Sequence, residues 1–168
     1  MAETPKSTED LKEAFAGESQ ANRKYLAFAM QADKDGFSQV ARLFRAAAEA
    51  ETIHAHSHLR ALGGIKTTRE NLEEAVAGET HEFKNMYPQM IADAELEGAT
   101  EARRSFTFAN AVEKVHAALY QKALDTLGQA AEEFDYFVCP VCGHTVEREA
   151  PEKCQVCGAK GSVFFAVS

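Results

Sequence analysis

Apolar residues recur every three to four positions through most of the chain, which is the period of an amphipathic α-helix. Glycine-containing breaks interrupt this pattern at Asp35-Gly36, Leu62-Gly63-Gly64, Gly98 and Leu127-Gly128. The runs between the breaks predict four helices, because glycine often ends a helix in the left-handed conformation. After about residue 130 the helical period stops and short apolar runs alternate with Cys, Gly and Pro. This change predicts a second, small module of short strands.

Local signals indicate how the helices begin and where one is irregular. Ser7 or Thr8 is a candidate N-cap of the first helix, which should form an antiparallel hairpin with the second. The third helix starts at the capping-box pattern Thr67-Thr68-Arg69-Glu70. Pro88 falls inside this third helix and removes one helical hydrogen bond, so we expect a kink or an irregular turn near Tyr87.

The two halves of the helical region repeat one another. Residues 9–19 align with residues 70–80 at a constant offset of 61, and the Glu-x-x-His motif at residues 51–54 aligns with that at 113–116 at an offset of 62. A match of this length predicts two related helical hairpins and therefore a four-helix bundle.

Carboxylates and imidazoles occupy equivalent places in the two halves. Positions i and i+3 share one face of a helix, so the glutamate and the histidine of each Glu-x-x-His motif can bind one metal cluster. The candidate ligands on the four helices are Glu18, Glu51, His54, Glu79, Glu82, Glu113 and His116. Five carboxylates with two imidazoles are the ligand inventory of a di-iron or di-manganese bundle, since such donors suit borderline divalent metals.

The alternative for each of these pairs is that its residues lie on a solvent-exposed helix face and bind no metal. This is the commoner explanation of a single short motif. The repeat places equivalent residues at equivalent positions along the helices, which favours one shared metal site over independent surface residues. Without metal, the clustered carboxylates should retain protons, because burial and like charges raise the pKa of a carboxyl group. Glu82 aligns with Ala21, which leaves one metal with a surplus carboxylate near His54. We therefore expect a redox-dependent ligand change at that metal.

Five other residues have weaker claims to a role at the site. His56 and His81 lie off the ligand faces, and His58 corresponds to Tyr120 in the other half, so we interpret all three as structural or solvent-facing. Tyr25 lies two turns beyond Glu18, and Tyr87 lies two turns beyond Glu79. They either hydrogen-bond the ligands or are ordinary core tyrosines, and spacing does not separate these two interpretations.

All four cysteines lie in the last module as two Cys-x-x-Cys-Gly pairs, namely Cys139, Cys142, Cys154 and Cys157. In a reducing compartment this arrangement is better explained by a tetrahedral metal site than by disulfides. Zinc and a single iron both fit four sulfurs. A neighbouring redox site favours iron, because an iron centre can pass single electrons to it. A module this small should need the metal to fold.

Composition and charge exclude several partners. Hydrophobic residues make up 45% of the chain, which is enough for a soluble core, and the net charge is −8. Nucleic acids and anionic membrane surfaces both require a basic surface, so neither is expected as a partner. We find no signal-peptide pattern at the N-terminus and no apolar run long enough for a membrane span, and we therefore expect a cytoplasmic protein.

The ligand motifs and the paired cysteine knuckles together resemble those of rubrerythrins over nearly the whole chain. The third-helix pair Glu79-x-x-Glu82 and the cysteine tail distinguish rubrerythrins from ferritins and bacterioferritins. The resemblance implies a mainly α fold, with a ferritin-like di-iron four-helix bundle at residues 1–130 and a small β-rich, rubredoxin-like module at residues 131–168. It also implies two non-haem irons in the bundle and one iron, or zinc, in the four-cysteine site.

The activity that the resemblance implies is that of a non-haem di-iron peroxidase in oxidative-stress defence. The diferrous site would reduce hydrogen peroxide to water, become diferric, and be re-reduced through the four-cysteine iron. Glu51 and Glu113 would bridge the irons. Glu79 and His116 would bind one iron, and Glu18 would bind the other.

The resemblance also assigns the residues expected to act during the redox cycle. The second iron would exchange His54 for Glu82 on oxidation, and this is the pair that the comparison of the halves singles out. Tyr25 and Tyr87 match family positions beside the ligands. The link between the knuckles, 11 residues from 143 to 153, is shorter than in free-standing rubredoxins.

A rubredoxin or an NAD(P)H-dependent reductase is the implied electron donor, and a homodimer is the implied assembly. In that dimer the cysteine module of one chain would face the di-iron site of the other, and the short Gly63-Gly64 and Gly98 connections would allow exchange of helices. Two other functions compete. One is a ferritin-like ferroxidase or iron-storage protein, which needs no cysteine module. The other is a non-enzymatic electron-transfer or zinc-stabilised metal-sensing protein.

Overall fold

The structure, a computed structural model, describes residues 5–130 and 132–168. The chain divides into two compact units, the first ending at Lys66 and the second running from Thr67 to Ser168. Five helices and three short strands confirm the predicted mainly α fold with a small β-rich module. The predicted domain boundary near residue 130 stays a prediction. Among the described residues, no helix combines the length and the apolar character that a membrane crossing requires.

The first unit is a helical hairpin of α1 (Lys6–Lys34) and α2 (Ser38–Ala61). Buried alanines form the contact near the turn, and their small side chains let the two helices approach closely. The predicted caps Ser7 and Thr8 are wrong, because α1 starts at Lys6 after Pro5 and the Pro5 carbonyl accepts the Thr8 amide at 2.9 Å.

Buried Asn22 holds the middle of this hairpin together. Its Nδ2 atom donates to the Ala48 carbonyl at 2.7 Å and to Thr52 Oγ1 at 2.8 Å. Asn22 lies one turn beyond Glu18 on α1, and Thr52 follows Glu51 on α2. These two hydrogen bonds therefore fix the positions of Glu18 and Glu51 relative to each other along the hairpin.

The helices of the second unit are α3 (Thr68–His81), α4 (Tyr87–Leu96) and α5 (Thr100–Asp125). The capping box is confirmed, since the Thr67 hydroxyl accepts the Glu70 amide and the Glu70 carboxylate accepts the Thr67 amide. The irregularity expected near Tyr87 is also confirmed. It is a π-helical segment, Glu82–Met86, in which the Tyr87 amide reaches back to the Glu82 carbonyl. Pro88 has no amide hydrogen, which favours such a break at the start of α4.

The module that follows α5 has three short strands, β1 (Tyr136–Val138), β2 (Thr145–Glu147) and β3 (Phe165–Val167). They form an antiparallel sheet in the order β2-β1-β3, with Val138 opposite both Thr145 and Phe165. Lys122 of α5 donates to the Glu147 carboxylate at 2.6 Å, which joins α5 to β2 within the second unit.

Candidate metal centres

The first group of candidate ligands belongs to the α1–α2 hairpin and contains Glu18, Glu51 and His54. His54 Nδ1 lies 2.9 Å from Glu51 Oε2 and 4.0 Å from Glu18 Oε1. One ligand atom from each residue lies within 4.8 Å of the other two. The i, i+3 spacing on α2 therefore brings the imidazole and carboxylate together, and α1 adds the second carboxylate.

The second group belongs to the second unit and contains Glu79 of α3 with Glu113 and His116 of α5. His116 Nδ1 lies 2.8 Å from Glu113 Oε2 and 3.9 Å from Glu79 Oε1. These distances match the corresponding ones of the first group to 0.1 Å, so the internal sequence repeat is a repeat of geometry as well.

Each group has donors that fit one borderline divalent metal ion. Two carboxylates and one imidazole nitrogen lie close enough to share an ion. Adjacent ligands about 2.1 Å from an octahedral metal lie about 3 Å apart, which is close to the shortest imidazole–carboxylate separation in each group. Each group by itself therefore offers a donor set that suits iron or manganese.

The two groups differ in how their carboxylates bind protons. The hydrogen bond from His54, with a further one from Glu18, holds the pKa of Glu51 below its usual value. Burial raises the pKa of Glu79, and the charge of Glu113 raises it further. The expected rise in carboxyl pKa is therefore found at Glu79 but not at Glu51, where the hydrogen bonds with His54 and Glu18 outweigh the effect of burial.

Glu82, Tyr87 and Tyr25 differ in where they lie relative to the two ligand groups. Among the described residues, Glu82 belongs to neither three-residue group and opens the π-helical segment. Burial raises the pKa of Tyr87, with contributions from the charges of Glu113, Glu82 and Glu79. Tyr87 therefore lies beside the second group. Tyr25 has its aromatic contacts with Phe28 and Phe44, at centroid distances of 6.4 and 6.1 Å.

The four cysteine sulfurs form a cluster that fits a tetrahedral metal ion. Cys139 Sγ lies 3.6 Å from Cys157 Sγ, and Cys142 Sγ lies 3.6 Å from Cys154 Sγ. All four sulfurs lie within 4.8 Å of one another, and the cysteines are free thiols. Metal–sulfur bonds of about 2.3 Å place the corners of a tetrahedron about 3.8 Å apart, so the cluster needs little adjustment.

The two knuckles have matching backbones. Gly143 and Gly158 have φ values of 82° and 78°, which glycine adopts without strain, and their amides donate to the carbonyls of Cys139 and Cys154. Burial opposes ionisation of Cys154, but the amides of Cys157 and Val156, with His144, lower its pKa to about 6. Burial raises the pKa of Cys142 and of Cys157, so Cys154 is the thiol of these three that ionises most readily.

Two residues that sequence reasoning missed touch the candidate ligands. His144 is buried, and its Nδ1 atom lies 3.6 Å from Cys154 Sγ. Thr145 Oγ1 lies 3.0 Å from Nε2 of His116. The position of His144 directly after Cys142-Gly143 is a signal that could have drawn attention to it. Thr145 has no such signal, because its contact depends on how the module packs on α5.

The contact with His116 places the cysteine module beside the second ligand group of the same chain. Thr145 of the module and His116 of α5 belong to the same compact unit, and Lys122 and Glu147 form a second contact between α5 and β2. The arrangement that the resemblance implies, in which the cysteine module of one chain faces the metal site of another, stays a prediction.

The fold and these sites define a di-iron protein with an appended rubredoxin-like module. The model of the family described as Rubrerythrin matches residues 9–124, and that described as Rubrerythrin, rubredoxin-like domain, matches residues 137–165. The chain belongs to the rubrerythrin family.

Two curated relatives match almost the whole chain. Rubrerythrin-2 of Clostridium acetobutylicum is 36% identical over 93% of this chain and 94% of its own length. Nigerythrin of Nitratidesulfovibrio vulgaris is 36% identical over 94% of this chain and 85% of its own. A solved structure of nigerythrin in its fully reduced, all-ferrous state has a TM-score of 0.60 and 33% identity, covering 99% of this chain and 89% of that chain.

Proposed function

We propose that this protein is a peroxidase that reduces hydrogen peroxide to water in defence against oxidative stress. Reduction of one peroxide molecule to two water molecules takes up two electrons and two protons. When bound, two irons in the glutamate-histidine groups would supply both electrons at one place, and an iron held by the four thiolates would replace them one at a time.

The proposed ligand assignment follows the motif positions of the family. Glu51 and Glu113 would each hold both irons, Glu79 and His116 would hold one of them, and Glu18 would hold the other. The equal geometry of the two three-residue groups supports equal roles for their members. The four thiolates of the module hold the third iron.

The observation that carries the proposal is the presence of a four-thiolate cluster in the same compact unit as Glu79, Glu113 and His116. A ferroxidase or storage protein has no need of a thiolate centre next to its ligands. A one-electron carrier beside a two-electron site suits a reaction that must be reset after every turnover.

Four residues are proposed to act during the cycle. The His54 side chain is 56% exposed whereas that of His116 is 27% exposed, so His54 is the freer ligand and is proposed to exchange with Glu82. Burial and the neighbouring carboxylates raise the pKa of Tyr87, so its phenol keeps its proton. It can donate a hydrogen bond to a peroxide oxygen. Tyr25 is proposed as its counterpart on α1.

The proposed electron donor is a rubredoxin or an NAD(P)H-dependent reductase, and the proposed assembly is a homodimer. Free cysteines arranged for metal binding support a reducing compartment, which we propose to be the cytoplasm.

The experiment is an anaerobic titration of the iron-loaded, fully reduced protein with hydrogen peroxide, followed by absorbance of the four-thiolate iron. Three one-electron irons per chain should consume about one and a half equivalents of peroxide. Oxidation by oxygen that is faster than oxidation by peroxide would favour the ferroxidase instead. A colourless four-thiolate site filled by zinc would exclude electron delivery through the module.

A matched pair of glutamate variants tests the role of Glu82. Glu82→Gln removes the charge that the exchange requires, whereas Glu73→Gln makes the same change at an exposed position of α3. We expect the first variant to lose at least tenfold in peroxide turnover with its iron content unchanged, and the second to keep wild-type turnover. Equal turnover in both variants would refute the proposed exchange.

A further inference from the structure

A short chain of hydrogen bonds runs from a cysteine knuckle to a metal ligand of α5. Thr145 Oγ1 donates to the Gly143 carbonyl oxygen at 3.0 Å. Thr145 Oγ1 also lies 3.0 Å from Nε2 of His116. Gly143 directly follows Cys142, so the hydrogen-bond chain begins one residue after a cysteine ligand and ends at the imidazole of a histidine ligand.

These two contacts agree with one assignment of the His116 proton. A threonine hydroxyl has one hydrogen to donate, and when the Gly143 carbonyl receives it, Thr145 Oγ1 can accept a hydrogen bond from His116. This assignment places the proton on Nε2. The lone pair of Nδ1 is thereby left facing Glu113 Oε2 at 2.8 Å and Glu79 Oε1 at 3.9 Å. Three acceptor atoms facing one another are the arrangement that a cation stabilises.

The position of Thr145 is fixed by packing within the second unit. Thr145 opens β2 and pairs with Val138 of β1. A Cβ atom at Gly143 would lie 3.8 Å from Val112 Cγ1, so the knuckle lies directly against α5 one turn before His116. Lys122 and Glu147 make a second bridge between α5 and β2 at 2.6 Å. The hydroxyl is therefore held at a defined place above the imidazole.

His54 has no corresponding anchor in the parts of the chain that the structure describes, residues 5–130 and 132–168. Its Nδ1 atom faces two carboxylates in the same way as that of His116. No hydrogen bond to Nε2 of His54 is found among those residues. The two histidines thus have the same ligand geometry on one nitrogen and different surroundings on the other.

We propose that Thr145 is a positioning residue that fixes the tautomer and orientation of His116, so that metal retention by the Glu79, Glu113 and His116 group depends on the docked cysteine module. Thr145 acts through His116 and touches no substrate. The role holds whether or not the protein reduces peroxide, because it concerns only how tightly this group keeps its metal.

Three variants of the full-length protein test the role. Thr145→Val removes the hydroxyl and keeps the β-branched shape that suits a strand. Thr145→Ser keeps the hydroxyl. Thr107→Val is the matched control, because the hydroxyl of Thr107 donates to the Arg103 carbonyl of its own helix and has no contact with a ligand.

The first readout is the rate at which a chelator removes iron from the glutamate-histidine site of iron-loaded protein, with the four-thiolate absorbance showing that the module is intact. We expect loss from Thr145→Val to be about ten- to a hundredfold faster than from wild type. Thr145→Ser and Thr107→Val should stay within about twofold of wild type. If the valine variant loses its thiolate absorbance, Thr145→Ala replaces it with the same expectation.

The second readout is the Nε2 proton of His116 in zinc-loaded protein, observed by nuclear magnetic resonance. We expect it to exchange slowly with solvent in wild type and in Thr145→Ser, and rapidly in Thr145→Val. The role of Thr145 is refuted if the valine variant matches Thr107→Val in both iron loss and proton exchange. A wild-type protein whose His116 carries its proton on Nδ1 would refute it equally.

Discussion

Replacement of His144 with leucine should lower the reduction potential of an iron held by the four cysteines. The His144 side chain is 5% exposed, and its Nδ1 atom lies 3.6 Å from Cys154 Sγ. A thiolate can only accept a hydrogen bond, so Nδ1 must be the donor. This bond stabilises negative charge on sulfur, and the reduced centre carries one more negative charge than the oxidised centre.

The size of the shift follows from the strength of this one bond. Hydrogen bonds to charged groups contribute about 1.5–3 kcal/mol, and a neutral one contributes about 1 kcal/mol. Only the difference between the two redox states affects the potential, and the 3.6 Å separation is long even for sulfur, so about 1 kcal/mol is a reasonable figure. For a one-electron couple this corresponds to about 40 mV, since about 59 mV equals a tenfold change in the equilibrium constant.

The assay is a spectroelectrochemical titration of the iron-loaded, full-length protein. His144→Leu should titrate about 40 mV below wild type. His144→Asn, whose amide keeps an N–H group near the position of Nδ1, should recover at least half of the shift. The thiolate absorbance and the circular dichroism of both variants show whether the module is intact. An unchanged or raised potential in the leucine variant would refute the reasoning, as would equal shifts in the two variants.

Three further predictions concern stability. Asn22→Ala removes two hydrogen bonds between α1 and α2, and should lower the free energy of unfolding measured in urea by about 1–3 kcal/mol; a loss below about 0.5 kcal/mol would contradict a role in holding the hairpin. Thr67→Ala removes the N-cap of α3 and should cost about 1 kcal/mol in the same assay, whereas Thr67→Ser should cost much less. Removal of metal from the four cysteines should expose the amides of β1–β3 to hydrogen exchange while those of α1 and α2 stay protected, and equal protection of the strands with and without metal would contradict a metal-dependent module.

Local interactions explain why much of this protein could be predicted from its sequence. The capping box of Thr67 and Glu70 spans four residues, and the Glu-x-x-His pairs span one turn. The left-handed glycines at the helix ends are equally local. Such features depend on the backbone within a few residues, so a pattern in the sequence is enough to find them.

Some predictions were wrong or incomplete even though they concerned residues that lie close together in the sequence. The sequence offered Ser7 and Thr8 as caps, yet the N-cap of α1 is Pro5, two residues before Ser7. The pattern located the irregular turn before Pro88 but not its π-helical form. Counting carboxylates suggested that all of them would hold protons, whereas the distance from His54 to Glu51 decides the opposite for that residue.

The sequence by itself determined the helices, the candidate ligands and the cysteine knuckles, because each is a pattern of residues close together in the chain. The internal repeat was equally visible, because it is two copies of one such pattern. Only the tertiary structure decided that His116 is anchored by Thr145, 29 residues away, and that His144 faces Cys154. Those contacts depend on where the module packs against α5 and how its two knuckles face each other. Nothing in a local spacing encodes that packing, since it results from the burial of surfaces far apart in the chain.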